Sequence, residues 1–514
     1  RAMFAKVLVA NRGEIAVRIL RTLREMGICS VAVYSEADRD SPHLDHADEA
    51  YLLGPAPVAE SYLSADRLLD VAARSRADAL IPGYGFLSEN AGFARRCANA
   101  GVTFVGPNAD AIEIMGRKPE ARAHMALAGV PIVPGGPAST LDEARSTAGK
   151  LGYPVMLKAA AGGGGRGMRR VEATSELPAS FERAQREALS SFGDATIYIE
   201  KVVTNARHIE IQVLGDRHGG LVHLYDRDCS VQRRHQKVVE ESPSPHLPEA
   251  ALEGLCETAL RGARSVHYDS VGTFEFLVDA EHHFYFLEMN TRLQVEHPIT
   301  ELCTGVDLVR EMVRVAAGEP LGYGQEAISR RGAAIECRIY AEDPAKNFLP
   351  SPGLVEHISA PEGPGIRHDA GVCAGYRMGF DYDAMIAKLC AWAPTRAQAV
   401  QRMQRALAEY EVRGLTTNLD FQRQLLRVED FVQGHYHTGF IEQHREALLG
   451  AAPADPELEE ERAVAVLMAA LAERGSRSAV AAAPGAPPCV ESVSGGRETP
   501  SAWAAAYRRR RLGL

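Results

Sequence analysis

The chain has 514 residues, of which 46% are hydrophobic and 24% are charged, and its formal net charge is −10. This length allows about two to four domains with an ample core, and the composition is typical of a globular protein in water. The acidic balance argues against a nucleic-acid-binding protein, and the longest purely apolar run, Ala463 to Ala472, is too short to span a bilayer.

The nine cysteines are scattered along the chain without a CxxC motif, so the sequence indicates neither a zinc site nor a disulfide framework. No charged segment followed by an apolar one opens the chain, as a signal peptide would. We therefore expect a cytoplasmic protein with no membrane or nucleic-acid partner.

Strands and helices alternate over roughly the first hundred residues. The predicted strands are Lys6 to Ala10, Ser30 to Tyr34, Ala79 to Ile81 and Thr103 to Val105, and the predicted helices are Ile15 to Met26, Ala65 to Arg74 and Phe93 to Ala100. This alternation predicts a doubly wound, Rossmann-like parallel sheet. The turn after the first strand lacks GxGxxG, so a plain structural turn is a better interpretation there than a dinucleotide site.

A mostly helical segment, Ala109 to Gly129, is broken at Pro119 and leads into a predicted small α+β lid over Pro131 to Val203. The lid contains a glycine-rich loop, Gly162 to Gly167, set between two predicted strands and starting four residues after Lys158. Backbone N–H groups of such a loop can fold over phosphates. A flexible linker is the alternative, but the flanking strands and Lys158 favour a phosphate lid.

The stretch from Thr273 to His297 predicts two antiparallel strands joined by a polar turn and followed by an irregular, charged segment. Glu275 and Glu288 interrupt the apolar runs of these strands, and buried carboxylates need partners. Side by side they tolerate each other only with a cation between them, and with the amide oxygen of Asn290 they form an all-oxygen set suited to Mg²⁺. Edge-strand glutamates that face water are the alternative.

Two polar segments accompany these strands. The first contains four polar residues that are each two positions apart, so in an extended backbone their side chains would all point to the same side of the segment: Asn290, Arg292, Gln294 and Glu296. The run from Asp226 to Lys237 is flanked by apolar residues, so we expect it at a strand end inside a cleft rather than on a solvated face.

Lysine is used sparingly, since only eight of the 57 basic residues are lysines. Because arginine serves elsewhere, the lysines are candidates for places that require a compact ammonium. Lys118 and Lys158 could neutralise phosphate charge. Lys201 ends a predicted strand with Glu200, and this pair could contact a nucleotide base or simply end the strand.

A further unit opens with the predicted strand Ala333 to Tyr340 and continues through the predicted helix Arg396 to Glu409. Beyond Gly450 the composition changes, with a helical pattern at Ala463 to Glu473 and an Ala/Pro/Gly/Ser-rich stretch at Ala479 to Gly496. We interpret this tail as a linker or as part of a domain that docks a partner, with disorder as the alternative.

Together these features predict a nucleoside triphosphate held between a glycine lid and a carboxylate–metal floor. Six motifs closely resemble one family: VANRGEIA (Val9 to Ala16), PGYGFLSEN (Pro82 to Asn90), KAAAGGGGRGM (Lys158 to Met168), RDCSVQRRHQKVVEE (Arg227 to Glu241), GTFEF (Gly272 to Phe276) and EMNTRLQVEHP (Glu288 to Pro298). Over residues 4 to 445 the chain resembles biotin carboxylase, the ATP-grasp component of biotin-dependent carboxylases. The last motif with the RRHQK cluster is highly specific, whereas many ATP-grasp enzymes share the glycine loop.

The resemblance implies a multidomain α/β and α+β fold. A Rossmann-like N-terminal domain would cover residues 1–114, and an ATP-grasp domain residues 115–332, with a mobile lid at about 131–203. A mixed α/β C-terminal domain would cover residues 333–445, followed by a linker or partial docking segment at 446–514.

The resemblance also implies a two-step reaction, in which ATP and bicarbonate give carboxyphosphate and ADP and the carboxyl group then passes to N1′ of biotin. Carried over by position, the ATP contacts are Lys118, Lys158, Gly163, Gly164, Gly165, Glu200, Lys201, Val203, His208, Gln232 and His235. The implied ligands of Mg²⁺ or Mn²⁺ are Glu275, Glu288 and Asn290. Bicarbonate would be surrounded by Lys237, Arg292, Gln294, Val295 and Glu296.

Four of the site residues receive catalytic roles from the resemblance. Glu296 would remove the proton of bicarbonate, and Arg292 would orient bicarbonate and stabilise carboxyphosphate. Arg338 would stabilise the enolate of biotin, and Lys237 would help to fix the anions. These roles agree with the chemistry, because a dianion that forms at a γ-phosphate needs fixed cations and one general base.

The alanines before the glycine loop and the segment Ser501-Ala502-Trp503 resemble the α-subunit of an acyl-CoA carboxylase of the acetyl-, propionyl- or methylcrotonyl-type. The implied partners are a separate biotin carrier protein and a carboxyltransferase subunit, in a homo- or hetero-oligomer. No lysine of this chain is flanked by methionines as in a biotin-attachment hairpin, so we expect the chain to carry no biotin of its own.

Two other functions are alternatives to a biotin carboxylase. Another ATP-grasp ligase could act through an acyl phosphate, but the arrangement of Arg292, Gln294 and Glu296 argues against it. An inactive nucleotide-binding scaffold subunit is the second, and the complete set of charged site positions argues against that. One departure from the family pattern, Pro119 directly after Lys118, puts the local helix geometry in question because proline lacks an N–H and restricts its neighbour.

Overall fold

A computed structural model describes residues 3–159, 169–192 and 195–449 of the chain. The predicted glycine lid, with Gly163, Gly164 and Gly165, and the predicted tail segments beyond Gly450 lie outside these residues. The described residues all belong to one compact unit, Arg1–Gly450.

The N-terminal region is a five-stranded parallel sheet in the order β3-β2-β1-β4-β5, which confirms the predicted doubly wound architecture. Its elements are β1 (Lys6–Val9), α1 (Gly13–Glu25), β2 (Cys29–Ser35), β3 (Glu49–Gly54), α2 (Ala65–Ser75), β4 (Ala79–Ile81), α3 (Ala91–Asn99) and β5 (Thr103–Phe104). Helix α1 buries Ile15, Ile19 and Leu23, spaced by four residues, on one face against the sheet.

Two short helices connect this sheet to the next region: α4 (Ala109–Gly116) and α5 (Lys118–Leu127). The two helices are separated at Arg117, whose backbone is extended. Pro119 therefore occupies the first turn of α5, where its missing N–H would have no helical partner in any case. Proline here lies at the start of a helix, and the disturbance predicted around Lys118 is the interruption between α4 and α5.

The predicted lid is a four-stranded antiparallel sheet in the order β6-β9-β7-β8 with two helices. Its elements are β6 (Gly135–Ala138), α6 (Leu141–Leu151), β7 (Val155–Ala159), β8 (Arg169–Val171), α7 (Leu177–Phe192) and β9 (Ile197–Lys201). The helix α6 begins with a capping box, in which Thr140 and Glu143 bond each other's backbone N–H groups. This agrees with the α+β unit predicted for Pro131 to Val203.

An eight-stranded antiparallel sheet forms the platform, in the order β14-β13-β10-β11-β12-β15-β22-β20. Five of its strands come first along the chain: β10 (Arg207–Gly215), β11 (Leu221–Arg233), β12 (Gln236–Ser242), β13 (Val271–Val278) and β14 (Phe284–Asn290). The helices α8 (Glu249–Ser265), α9 (His297–Thr304) and α10 (Leu308–Ala316) pack against these strands. The predicted hairpin from Thr273 onward is the pair β13–β14.

The remaining elements follow the predicted start of the C-terminal unit. They are β15 (Ala333–Tyr340), β16 (Glu342–Asp343), β17 (Leu349–Pro350), β18 (Gly353–Leu354), β19 (His357–Ser359), β20 (Ile366–Ala370), β21 (Arg377–Met378), β22 (Met385–Ala393), α11 (Arg396–Glu409), β23 (Glu411–Arg413), α12 (Leu419–Leu425), α13 (Glu429–Gln433), α14 (Phe440–Gln443) and α15 (Arg445–Leu449). Strand β12 pairs with β15, so one continuous sheet crosses the predicted domain boundary after residue 332.

One local prediction was wrong. The polar run that begins at Asp226 was expected at a strand end, but β11 continues through Arg233 and only Arg234 and His235 form the turn to β12. The strand tolerates these polar residues because they find partners within the sheet, as the contacts of Arg227 below illustrate. Among the described residues no helix is long and apolar enough to cross a membrane.

Candidate active site

Three neighbouring strands place three glutamates side by side. Glu210 of β10 is the register partner of Glu275 of β13, and Glu275 is the partner of Glu288 of β14. Directly opposed residues in antiparallel strands have Cβ atoms about 5 Å apart. The sequence analysis predicted the pairing of Glu275 with Glu288 but missed Glu210, although this residue also interrupts an apolar run, between Ile209 and Ile211.

Lys237 of β12 neutralises this row of carboxylates. Its Nζ lies 2.9 Å from Glu275 Oε1 and 2.8 Å from Glu296 Oε1, and it also donates a hydrogen bond to Glu210. Gln294 Oε1 lies 3.4 Å from the same nitrogen. Burial would lower the pKa of Lys237, but the surrounding carboxylates hold it well above its ordinary value, so the ammonium stays charged.

Glu296, at the N-terminus of α9, has both carboxylate oxygens bonded to cations. Arg338 of β15 donates from Nη2 to Glu296 Oε2 at 2.8 Å, while Lys237 holds the other oxygen. Burial alone would raise the pKa of Glu296, but Lys237 and Arg338 keep it below its ordinary value. The carboxylate is therefore ionised and able to accept a proton.

Arg338 is itself held from its other side. Its Nε donates to Glu240 Oε1 at 2.6 Å, and Glu240 is fully buried on β12. Burial raises the pKa of Glu240 to about 7, although the charge of Arg338 opposes this. Sequence analysis did not single out Glu240, because a charged residue next to Glu241 reads as a polar surface position.

Arg227 is a buried arginine beneath the row of glutamates and bonds side chains from several elements. The sequence analysis did not predict it as a site residue. Its guanidinium donates to Glu210 Oε2 at 2.9 Å, Gln212 Oε1 at 2.7 Å, Thr300 Oγ1 at 3.0 Å and Thr273 Oγ1 at 3.1 Å. It has no exposed surface. A planar fork with five donors can bond four acceptors at once, which a lysine could not do.

Arg292 lies in the irregular segment after β14, as predicted, and is held by two side chains. Its Nε lies 2.9 Å from Glu89 Oε2, and its Nη2 donates to Asn290 Oδ1 at 2.8 Å. Glu89 precedes α3 and was not predicted as a site residue. This contact fixes Arg292 from the N-terminal region.

The predicted metal ligands are bonded to other side chains in this structure. Glu275 Oε1 accepts hydrogen bonds from Asn290 Nδ2 at 2.7 Å and from Gln294 Nε2 at 3.0 Å, and Glu288 Oε2 pairs with Lys118 Nζ at 2.7 Å. Every carboxylate here is thus balanced by a cation or an N–H donor. Two carboxylates and an amide on adjacent strands supply hard oxygen donors, so the residues fit a divalent ion such as Mg²⁺.

His208 of β10 connects the metal-ligand candidates to the nucleotide side. Its Nε2 lies 3.1 Å from Glu275 Oε2 and 3.3 Å from Glu210 Oε1, and its Nδ1 lies 2.9 Å from Gln232 Nε2. Burial would lower the pKa of His208, but the two carboxylates raise it to about 9. The two carboxylates thus favour the charged form of His208.

A cavity of about 490 Å³ collects most of the predicted nucleotide contacts. Among its lining residues are Lys158, Glu200, Lys201, Val203, His208, Gln232 and His235. Apolar walls are contributed by Met156, Leu277, Leu287 and Ile441. Glu200 pairs with both Lys158 and Arg122, the latter at 2.6 Å, so this acid is fixed at the cavity wall. An apolar slot with polar groups at one end suits a purine base.

A second cavity has a volume of about 500 Å³. Glu14, Tyr84, Val295 and Arg338 are among its lining residues, together with Phe380 and Tyr382. It shares no lining residue with the first cavity. Arg338 therefore both bonds Glu296 and lines this second cavity.

Comparisons with protein families match the chain in three consecutive segments. Residues 3–112 match the biotin carboxylase N-terminal domain, residues 117–323 match the ATP-binding domain of the carbamoyl-phosphate synthase L chain, and residues 336–443 match the biotin carboxylase C-terminal domain.

Individual proteins are similar over most of the chain. A biotin carboxylase of Halalkalibacterium halodurans is 52% identical over 453 residues, which are 88% of this chain and 100% of that protein. The mitochondrial methylcrotonoyl-CoA carboxylase subunit alpha of rat is 50% identical over 447 residues, 86% of this chain but 62% of that protein.

Among solved structures, the biotin carboxylase domain dimer of the Hydrogenobacter thermophilus 2-oxoglutarate carboxylase, in complex with MgADP, ADP and bicarbonate, is 46% identical. It superimposes with a TM-score of 0.81 and covers 88% of this chain and 100% of that domain. With these matches and a site in which Lys237 and Arg338 hold an ionised Glu296, the chain belongs to the biotin carboxylase family, the ATP-dependent ligases that carboxylate biotin.

Proposed function

We propose that Glu296 is the general base of this enzyme and that Lys237, Arg292 and Arg338 are its catalytic cations. The observation that supports this is that both carboxylate oxygens of Glu296 are bonded to cations, one to Lys237 and the other to Arg338. A bicarbonate ion bound beside Glu296 would share these cations. The pKa of Glu296 would then rise, because each cation would be divided between two anions, and the carboxylate would become a better base.

In the first half-reaction the deprotonated bicarbonate oxygen forms a bond to the γ-phosphorus of ATP, and the bond between that phosphorus and the β–γ bridging oxygen breaks. The proton goes to Glu296 and ADP leaves. We assign the orientation of bicarbonate to Arg292, Gln294 and Val295, and the nucleotide contacts to the residues of the 490 Å³ cavity. When bound at Glu275, Glu288 and Asn290, Mg²⁺ or Mn²⁺ supplies charge neutralisation to the phosphates.

In the second half-reaction a bond forms between the carboxyl carbon of carboxyphosphate and N1′ of biotin, while the bond from that carbon to the phosphate oxygen breaks. Phosphate leaves and takes up the N1′ proton. Arg338 faces the 500 Å³ cavity, where its guanidinium can stabilise the enolate oxygen of the ureido ring. We assign the donor of that biotin to a carrier domain outside these 514 residues, since none of their eight lysines has the methionine-flanked attachment pattern.

The chain would act as the α-subunit of an acyl-CoA carboxylase, together with a carboxyltransferase subunit. The support is the similarity to the methylcrotonoyl-CoA carboxylase subunit and the alanines before the glycine loop. The similarity to a 2-oxoglutarate carboxylase domain keeps a keto acid as the competing final acceptor. Reconstitution with a biotinylated carrier and a carboxyltransferase, offered acetyl-, propionyl- and methylcrotonyl-CoA and 2-oxoglutarate, separates these acceptors.

The first experiment measures ADP release from ATP with and without bicarbonate and with and without free biotin. We expect release to depend on bicarbonate and to increase with biotin. Release that ignores bicarbonate would contradict the assignment of Glu296 and its cations to a bicarbonate site.

A further inference from the structure

Lys388 is a buried lysine to which the reaction described above gives no role. It lies in the middle of β22, and its side chain has no exposed surface. Burial would lower the pKa of Lys388, but the nearby carboxylates of Glu14, Glu336 and Asp369 raise it above its ordinary value. A charged ammonium is thus kept inside the protein, which is costly without a specific set of partners.

The partners of Lys388 come from other parts of the fold. Its Nζ lies 3.2 Å from Glu14 Oε2, in the first turn of α1, and donates to the backbone carbonyl of Val295 at 2.8 Å. The hydroxyl of Tyr84 donates to the other oxygen of Glu14, and the Tyr84 ring centre lies 5.9 Å from the ammonium. Tyr84, Glu14 and Lys388 therefore form a chain of contacts that ends on one peptide group.

That peptide group belongs to the site. Val295 directly precedes Glu296, and Lys388 is the register partner of Arg338 across β15 and β22. Two neighbouring cations thus hold two neighbouring residues, with Arg338 on the Glu296 carboxylate and Lys388 on the Val295 carbonyl. The preceding carbonyl, of Gln294, is held by His297 Nδ1 at 2.7 Å.

We propose that Lys388, set in place by Glu14 and Tyr84, is a positioning residue that fixes the Val295–Glu296 peptide and thereby aims the base at bicarbonate. The inference rests on the proposed role of Glu296. Because the Lys388 side chain is enclosed, it acts on the site through Val295 and not by touching a substrate. Misplacing a reacting group by about 1 Å can lower the rate about 10²-fold, so loss of one hydrogen bond to this carbonyl can have a large effect on the rate.

The main variant is the double substitution Glu14→Gln with Lys388→Met, which removes both charges and leaves neither partner as an unpaired buried ion. ATP cleavage is measured without biotin, so that contacts of biotin in the second cavity do not enter. We expect kcat/KM for bicarbonate to fall about 10²-fold, with the KM for ATP within about threefold of the parent. Lys346→Met, at an exposed lysine in a turn, is the matched control and should behave as the parent.

Tyr84→Phe is the milder variant and decides the matter if the double variant does not fold. It removes only the hydroxyl bonded to Glu14, and we expect kcat/KM for bicarbonate to fall about tenfold, as for loss of one hydrogen bond to a charged group. Its control is Tyr410→Phe, which removes a buried hydroxyl bonded to His368 at the outer edge of the same sheet.

Three outcomes would overturn the inference. A folded double variant, or Tyr84→Phe, with unchanged bicarbonate kinetics shows that the contact does not position the base. An equal loss for ATP and bicarbonate assigns Lys388 to general architecture. A parent enzyme without bicarbonate-dependent ATP cleavage contradicts the proposed function itself, and that result is visible before any variant is made.

Discussion

Glu296 combines two properties that a general base needs and that oppose each other. Its contacts with Lys237 and Arg338 keep it ionised in the protein interior, yet the same contacts lower its proton affinity. In its proposed role as the base, Glu296 would gain proton affinity when bicarbonate binds, because the bound anion would draw on the same two cations. Proton transfer to Glu296 would thus depend on the presence of its own substrate.

Replacing Glu296 by Gln tests this role. The amide keeps the size and much of the hydrogen bonding but cannot accept the proton, so we expect bicarbonate-dependent turnover to fall about 10²–10⁴-fold while ATP binding is retained. Steady-state ADP release and nucleotide binding by calorimetry measure the two effects. Turnover within a few-fold of the parent would show that another group is the base.

Arg338→Lys should not behave as a conservative change. Arg338 uses Nε for Glu240 and Nη2 for Glu296, and an ammonium on a flexible stem cannot reproduce this fork. We expect biotin carboxylation to fall at least about tenfold more than biotin-independent ATP cleavage. Equal losses in the two assays would move Arg338 from biotin to general architecture.

At the residue scale, the sequence predicted those side chains that break a simple pattern. Glu275 and Glu288 interrupt apolar strands, and Glu296 stands in a period-two polar segment, so each could be recognised locally. Glu89 and Glu240 stand in ordinary polar surroundings. Their roles arise from contacts with Arg292 and Arg338, which are distant in sequence, and only the folded chain brings these pairs together.

The hairpin β13–β14 is the element that carries the candidate metal ligands. Its register sets Glu275 against Glu288 and Thr273 against Asn290, so all three oxygen donors depend on one strand pairing. A shift by one residue would move them to opposite faces of the sheet. The turn from Asp279, whose carboxylate accepts from the backbone N–H groups of Glu281 and His283, sets the register of the strand ends next to it. A β-bulge then shifts the register by one residue and places Glu275 opposite Glu288.

Glu288→Ala should raise the Mg²⁺ concentration required for turnover by about tenfold or more, since Glu275 and Asn290 alone form an incomplete oxygen shell. A magnesium titration of bicarbonate-dependent ADP release measures the change. Glu281→Ala, in the turn of the same hairpin, is the control and should leave the titration unchanged. An unaltered requirement in Glu288→Ala would remove this residue from the metal site.

Strand β20 at the sheet edge gives a prediction about pH. Burial lowers the pKa of His368 to about 4, and its Nε2 lies 2.6 Å from the hydroxyl of Tyr410. Below pH of about 6.5 the unfolded chain protonates this histidine while the folded chain does not, so stability falls as pH drops from about 6.5 towards 4.

Between pH 7 and pH 5 we expect the parent to lose about 1–2 kcal/mol more free energy of unfolding than His368→Gln, a range reduced for the partial exposure of the ring. Urea unfolding at the two pH values measures the difference. The same pH dependence in both proteins would show that His368 titrates normally in the fold.

Element types could be predicted where periodicity was strong, as in the alternation that gives the N-terminal parallel sheet. Element limits were harder. The polar residues after Asp226 read as the end of a strand, yet β11 continues to Arg233 because Arg227 satisfies its charge inside the sheet. Local polarity does not reveal a partner that arrives from another strand.

Residues 3–449, as far as the structure describes them, are joined by the eight-stranded sheet and by the contacts of the N-terminal region with it. Glu240 and Glu336 are register partners across the predicted boundary after residue 332. Glu336 lies two residues before Arg338 on β15, and Glu240 accepts a hydrogen bond from Arg338. This continuity could not be derived from the sequence, because the pairing of distant strands leaves no local pattern. It explains why residues from all three matched segments meet at one site.

The final prediction concerns the division of labour between this chain and its partners. We expect the 514-residue chain to remain free of covalent biotin and to carboxylate biotin presented by another protein. Each of its eight lysines lacks flanking methionines, and two of those near the site, Lys237 and Lys388, are enclosed by ion pairs.

A streptavidin blot of the chain, produced in a host with active biotin ligase, measures attachment, and a carboxylation assay with a separately biotinylated carrier measures use of the partner. We expect no band at the size of this chain and a clear stimulation by the carrier, because a tethered biotin raises the effective concentration at the second cavity. A band at 55.6 kDa would refute the first expectation. Turnover of free biotin without stimulation by any carrier would argue that the second cavity does not receive biotin from a protein.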